Sequence, residues 1–337
     1  MAGGFRPQRY CAGTQPSVSG LDEVLELKRT RAAWHYPKDA TSQRRRSMTK
    51  QIPLTQPTDR RTALATTYEG RDPQLLEHVL PLVDYIEVTP DSIAEFRDGR
   101  VVVPDDAIRE LKDIGPDAGI IVHGVGLSIG TCGGYSETYL RLVDQLVEYL
   151  DVAWHSEHLG YVNVEGQHIG TMLALPKTEQ VLDMICERVT RIQRRYPVPF
   201  LLENIVHMLP DFPGDYSDAG FLNLLASRTG CGLILDVYNL ECDAHNNGFS
   251  IDQFLAELDL SHVREIHVAG GVIRGRFKLD VHSRATQDST IDLVRRVIPF
   301  APQLNAATYE VLPEYVPKLG YAGIAAELIR LQKALMN

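Results

Sequence analysis

The sequence predicts a (β/α)8 barrel, and three observations predict it. Eight short apolar runs with strand character follow one another between residues 63 and 314. Segments of helical period lie between them, and alternating strands and helices make a parallel sheet. Eight such units in about 260 residues match the size of this barrel. An open doubly wound sheet would carry a glycine-rich dinucleotide turn after its first strand, and TTYEGRD is not one.

Taken in order, the runs place a polar residue at almost every strand end. ALATTYEG (63–70) and YIEVTP (85–90) open the series. GIIVHGVG (119–126) carries His123, and VAWHSEHL (152–159) carries His155, Glu157 and His158. PFLLENIV (199–206) ends in Glu203 and Asn204, and CGLILDVYNL (231–240) in Asp236 and Asn239. VREIHVAG (263–270) supplies His267 and ATYEVLPE (307–314) supplies Glu310. Between the last two, FKLDVHS offers Asp280 and His282 two residues apart, on one side if the chain is extended.

The intervening segments SETYLRLVDQLVEYL, EQVLDMICERVTRIQRRY and AGFLNLLASRTG place apolar residues at i, i+3, i+4 and i+7, the amphipathic helical pattern. Gly230 follows the third where a helix end wants a left-handed residue. Asp91, Ser136 and Asp252 stand near helix starts as candidate N-caps. A terminal helix, YAGIAAELIRLQKALMN, follows the eighth strand. The glycine-rich GVGLSIGTCGG (124–134) lacks the lysine and spacing of a P-loop and reads as a tight strand-to-helix connection, with Cys132 a packed loop cysteine.

The 337 residues are 44 % apolar and 23 % charged, the composition of a globular protein, and no apolar run is long enough to span a membrane. The N-terminus lacks the apolar core of a secretory signal. Cys11, Cys132, Cys186, Cys231 and Cys242 contain no C-x-x-C pair, which argues for the cytoplasm and against a disulfide framework or a structural zinc site. Charge divides the chain in two. Residues 1–62 hold 12 Lys/Arg and 5 Asp/Glu, a balance of +7, and the rest of the chain carries −17. The expected organisation is a basic, partly disordered N-terminal extension over 1–62 and a barrel domain over 63–337. An acidic body does not fit a nucleic-acid-binding surface.

Any one of these polar residues has a structural explanation, as a helix cap, a turn or a hydrogen-bonded rim residue. Together they crowd one barrel mouth, with no Lys or Arg in the same strand ends to neutralise them. Clustered carboxylates repel and take up protons unless cations lie among them. Metal ions remove that cost, and the mixture of imidazole with carboxylate suits iron, manganese or zinc. The set exceeds the needs of one ion, so two or three are expected.

HGVGLSIG, SEHLGY, LLENI, LILDVYN, EIHVAGG, LDVHS and YEVLPE, in this order, resemble the multinuclear iron-dependent oxidases, a group that includes the oxidase of methanobactin biosynthesis. The resemblance covers about residues 63–335 and leaves the basic leader outside it. It implies a xylose-isomerase-like barrel holding two or three irons, mixed Fe(II) and Fe(III), with O2 as co-substrate. It carries over as metal ligands His123, His158, Glu203, Asp236, Asn239, His267, Asp280, His282 and Glu310. Glu157 and Asn204, both named from the strand ends, are the candidate catalytic residues; the resemblance implies that Glu157 steadies His158, and it does not require His155. Two departures bear on substrate: Asn246-Asn247-Gly248 stands where relatives carry Asn-His-Gly, and Thr89-Pro90-Asp91 where they carry Glu-Asn.

The same resemblance implies a ribosomally made precursor peptide as substrate, modified most often at a cysteine, and a separate peptide-recognition partner protein. Two other readings stand beside it. One is a divalent-metal barrel hydrolase or isomerase acting on a sugar or phosphodiester. The other is a non-catalytic peptide-binding subunit.

Overall fold

A computed structural model describes residues 61–207 and 214–336. The expected basic extension over 1–62 lies outside these residues except for its last two positions. Fourteen strands are present in the described chain. They are β1 (Ala63–Thr67), β2 (Tyr85–Val88), β3 (Glu95–Arg97), β4 (Arg100–Val102), β5 (Gly119–Gly124), β6 (Val152–His158) and β7 (Gly160–Val164). The remainder are β8 (Gln167–Ala174), β9 (Phe200–Glu203), β10 (Gly232–Asp236), β11 (Val263–Val268), β12 (Val272–Arg274), β13 (Phe277–Leu279) and β14 (Ala306–Tyr309).

Eight of them close a barrel in the order β1-β14-β11-β10-β9-β6-β5-β2, every pair parallel. The other six form antiparallel hairpins, β3–β4, β7–β8 and β12–β13, inserted after barrel strands β2, β6 and β11. They therefore sit on the face where the barrel strands end. The expected helices are in place at Glu137–Tyr149, Glu179–Arg195, Asp218–Thr229 and Tyr321–Leu335.

Cap chemistry accounts for several boundaries. Ser136 accepts the Tyr139 N–H, and Gly230 closes its helix with φ +71°, as the sequence predicts. Two expected caps fall elsewhere. Thr89 precedes the short helix Pro90–Ile93, and the Asp91 carboxylate instead accepts the Gly126 N–H at 2.9 Å. Ser250 caps Ile251–Glu257, leaving Asp252 to pair with Arg296 at the surface. CGLILDVYNL is a strand only as far as Asp236. That carboxylate accepts the Asn239 N–H at 2.7 Å and starts the helix Val237–Asn247, so Asn239 is a helical residue rather than a strand residue.

The main apolar core lies between barrel and helices. Inside the barrel, Ala65, Ile121, Trp154, Leu201, Ile234 and Ala306 form a separate plug, with Tyr85 packed against it. Because strand side chains alternate between faces, residues two further on point inward again, one layer higher. Tyr85 leads to Glu87, Ile121 to His123, Leu201 to Glu203 and Ile234 to Asp236. Trp154 leads to Ser156 and then His158, and Ala306 to Thr308 and then Glu310. The plug ends where the polar layer begins.

Candidate metal centre

Glu203 occupies the middle of that layer. Its Oε2 lies 3.0 Å from His123 Nε2, 3.6 Å from His158 Nε2 and 3.6 Å from His267 Nδ1. Glu310 adjoins it, with Oε1 3.3 Å from His267 Nδ1 and Oε2 3.7 Å from His282 Nε2. His282 in turn lies 2.7 Å from Asp280 Oδ1. The chain reaches this position with φ +42° at His282, so the D-x-H pair meets through a bend rather than along an extended strand. Asn239 reaches over from its helix, its Nδ2 donating to the Asn204 carbonyl at 3.1 Å, with Glu203 Oε1 at 3.5 Å.

The unused ring nitrogens are held from behind. His123 Nδ1 faces Ser156 Oγ at 2.9 Å, and His158 Nδ1 faces the Gly124 carbonyl at 2.8 Å. Both contacts aim the opposite nitrogen, Nε2, at Glu203. Imidazoles fixed in this way are prepared to offer a lone pair inward.

Three expected residues lie off this layer. His155 and Glu157 sit on the outer face of β6, as alternation requires of neighbours of Ser156 and His158. His155 packs against Tyr139, Tyr196 and Phe200, and burial pushes its pKa down to about 3. Glu157 accepts the Leu127 and His158 N–H groups, at 3.2 Å each, and its Oε1 is 3.9 Å from His158 Nδ1. It shapes the 124–128 turn, and the Gly124 carbonyl, rather than Glu157, orients His158. A side chain at Gly124 would collide with Tyr139 and with Glu157 Oε2, so the turn tolerates only glycine there. Asn204 is spent on the backbone of Asp236, donating to its carbonyl at 3.0 Å and accepting its N–H at 2.9 Å. It ties β9 to β10.

Two residues of the layer were not singled out from the sequence. Glu87, on β2, is fully buried with Oε2 3.3 Å from His267 Nε2. Glu265, on β11, accepts Trp154 Nε1–H at 2.8 Å and the Thr308 hydroxyl, and lies 3.5 Å from the same nitrogen. Both are inward-facing carboxylates one step below the mouth. Two-residue alternation from Tyr85 and His267 would have found them.

The electrostatics of the layer pull in opposite directions. Burial opposes charge on Glu203, yet His158 and His267 hold its pKa well below the usual carboxylate range. Burial pushes Asp236 well above that range, and Asp280 and Glu310 push the same way. Burial lowers His123, but Glu87 and Glu203 carry it up to about 9. Among the described residues, fourteen buried side-chain nitrogen and oxygen atoms lack a hydrogen bond of good geometry. Eleven of them belong to Glu87, His123, Glu203, Asp236, Asn239, His267, Asp280, His282 and Glu310. Orphaned polar atoms so concentrated are what ligands without their ions look like. Three overlapping groups, Glu87–His123–His267, His123–His158–Glu203 and Glu203–Asp236–His267–Glu310, each bring their donor atoms within 4.8 Å of one another. The donors fit first-row transition ions, and no Lys or Arg pairs with these carboxylates among the described residues.

Comparison with known proteins finds a family and a fold. Residues 70–310 match the family described as "RiPP precursor modification enzyme MbnB/TglH/ChrH". That span contains the first six of the seven motifs and the Tyr309-Glu310 start of the last. A UPF0276 protein of Anaeromyxobacter sp. (strain Fw109-5) is 30 % identical over 242 residues, 72 % of this chain and 82 % of the relative. One from Caulobacter vibrioides is 31 % identical over 214 residues, 64 % of this chain and 74 % of the relative. Among solved structures, D-psicose 3-epimerase from Clostridium cellulolyticum H10 superposes with TM-score 0.51 at 13 % identity, over 82 % of this chain and 97 % of that one. An IOLI protein with a bound zinc atom gives TM-score 0.50 at 15 % identity, over 82 % of this chain and 96 % of that one. At these identities the structures speak for the barrel fold alone.

Proposed function

The chain belongs to the MbnB/TglH/ChrH family of RiPP precursor modification enzymes, and on that premise we propose that it is a multinuclear non-heme iron oxidase acting on a cysteine of a ribosomal precursor peptide. One observation carries the reading: eleven orphaned polar atoms, from imidazoles, carboxylates and one amide, converge on a single barrel mouth. The proposed ligands are His123, His158, Glu203, Asp236, Asn239, His267, Asp280, His282 and Glu310, enough for two or three ions. Iron bound there would supply Lewis acidity to a cysteine thiol and redox chemistry toward O2.

The chain's own residues do the rest. Glu203 is shared by two of the three donor groups and would hold ions in both. Ser156 and the Gly124 carbonyl fix the rings of His123 and His158. Among the imidazoles of the proposed ligands, His158 and His282 are the most accessible, with 20 % and 16 % of their side-chain surfaces exposed, so a peptide side chain entering the mouth would meet these two first. Deeper in, His267 is shut off from water. The hairpins β3–β4, β7–β8 and β12–β13 rise from the same face and provide walls for an extended peptide. A separate peptide-recognition protein, presenting the substrate in the cytoplasm, completes the proposal. No helix among the described residues is long and apolar enough to cross a membrane.

The test is anaerobic purification with iron supplied, metal analysis, and co-expression with a cysteine-containing precursor peptide followed by mass measurement. Stoichiometric iron, O2 consumption and a mass change on the peptide are expected. A colourless zinc protein that leaves the peptide unchanged and acts on a sugar or phosphodiester would overturn the proposal.

A further inference from the structure

This inference rests on the metal-centre reading and adds a residue to it. Glu87 projects from β2 into the barrel just above the apolar plug. Neither of its oxygens has a hydrogen bond of good geometry, and the side chain is sealed from solvent. The nearest donor is His267 Nε2, 3.3 Å from Oε2. Glu265 also approaches that nitrogen, at 3.5 Å, but its two oxygens already accept Trp154 Nε1–H and the Thr308 hydroxyl.

The far side of the same ring faces the proposed cluster. His267 Nδ1 lies 3.3 Å from Glu310 Oε1 and 3.6 Å from Glu203 Oε2. A neutral imidazole has one N–H and one lone pair. For Nδ1 to offer its lone pair to a cation, the hydrogen must sit on Nε2, the nitrogen 3.3 Å from Glu87 Oε2. A carboxylate in that position fixes the tautomer, locks the ring and makes the ligating nitrogen more basic. The rival arrangement is an ion held directly by Glu87, His123 and His267. It fits less well, because His123 already faces Ser156 through Nδ1 and Glu203 through Nε2.

We propose that Glu87 is the positioning residue of His267: it accepts the Nε2 hydrogen and so presents the Nδ1 lone pair to the metal cluster. Glu87 does not touch the ion or the substrate. Its effect passes through the imidazole.

Zinc is the probe, since it is diamagnetic and needs no oxygen control. Zinc titrations and 15N-histidine spectra are recorded for the wild type, Glu87→Ala and Glu87→Gln, with His267 assigned by the loss of its signals in His267→Asn. The wild type should show His267 hydrogen-bearing at Nε2 and metal-bound at Nδ1. Glu87→Ala should weaken one zinc site about 10- to 100-fold and lose that fixed tautomer. Glu87→Gln keeps the shape without the charge and should weaken the same site by a smaller factor, and it carries the test alone if Glu87→Ala does not fold. Wild-type affinity and tautomer in Glu87→Gln and Glu87→Ala would overturn the assignment while leaving the metal centre intact. A wild type that binds no zinc and no iron removes the metal centre itself, and this inference with it.

Discussion

The Nε2 of His123 stands 3.0 Å from Oε2 of Glu203, and two further imidazoles, His158 and His267, lie 3.6 Å from that same oxygen. One carboxylate thus serves as the common neighbour of three rings. Glu203→Gln should therefore cost more than one equivalent of bound metal, because Glu203 belongs to two donor groups. His282→Asn, at the edge of the cluster, should cost about one. Metal analysis of both variants, prepared beside the wild type, checks this, and a full complement in Glu203→Gln would refute the shared role.

Removing the metal should destabilise the fold. A ligand present at 100 times its dissociation constant adds about 2.7 kcal/mol to the stability of the state that binds it. Each kcal/mol is worth roughly 2–4 °C in a large domain. Stripping the ions also leaves Glu203, Asp236, Asp280 and Glu310 facing one another without cations, which adds to the loss. Thermal unfolding with and without chelator should show a fall of several degrees, restored by ferrous ion. No change on chelation would argue that the mouth tolerates its charges unaided.

The barrel was legible because alternation of strand and helix is a whole-chain pattern that single errors do not erase. The mouth was legible because its residues are chemically unusual for strand ends. What escaped notice follows from geometry. Asn239 looks like a strand residue because apolar Val237 and Tyr238 continue the run LIL past Asp236, and only the cap formed by Asp236 turns the chain there. Glu157 looked like a partner of His158 because it is adjacent in sequence, and adjacency in a strand means opposite faces. Glu87 was passed over since YIEVTP offers one carboxylate among apolar residues. Its meaning comes from His267, 180 residues away, and only the closed barrel brings the two together.

Lys278 and Glu241 form a buried pair at 2.7 Å, joined by the Thr290 hydroxyl at 2.8 Å and set against the Tyr238 ring. The pair anchors β13 to the helix Val237–Asn247, directly before Asp280 and His282. Lys278→Met should cost about 3–5 kcal/mol, since it leaves the Glu241 carboxylate buried and unpaired. Lys278→Met with Glu241→Leu should recover most of that loss. Denaturant unfolding of the single and double variants decides it, and additive losses would show that the two side chains act independently.

His207 should make stability depend on pH near neutrality. Its ring is mostly buried, which by itself disfavours the proton, but the Asp243 carboxylate 2.9 Å from Nδ1 reverses the balance and raises the pKa above its usual value. Asp218 at 3.4 Å works with Asp243, and Lys177 at 3.4 Å works against it. A raised folded-state pKa means that the folded chain binds the proton more tightly than the unfolded one. The stabilisation is then complete below the unfolded value of about 6.5 and disappears as pH climbs through the folded value. His207→Gln removes the titrating group, so the stability gap between wild type and variant should be wider at acid pH than at alkaline pH. Denaturant midpoints across that range measure the gap. A gap that is constant, or that widens toward alkaline pH, would mean that the ring is held neutral and that Asp243 acts only as an acceptor for the His207 backbone N–H, 2.8 Å away.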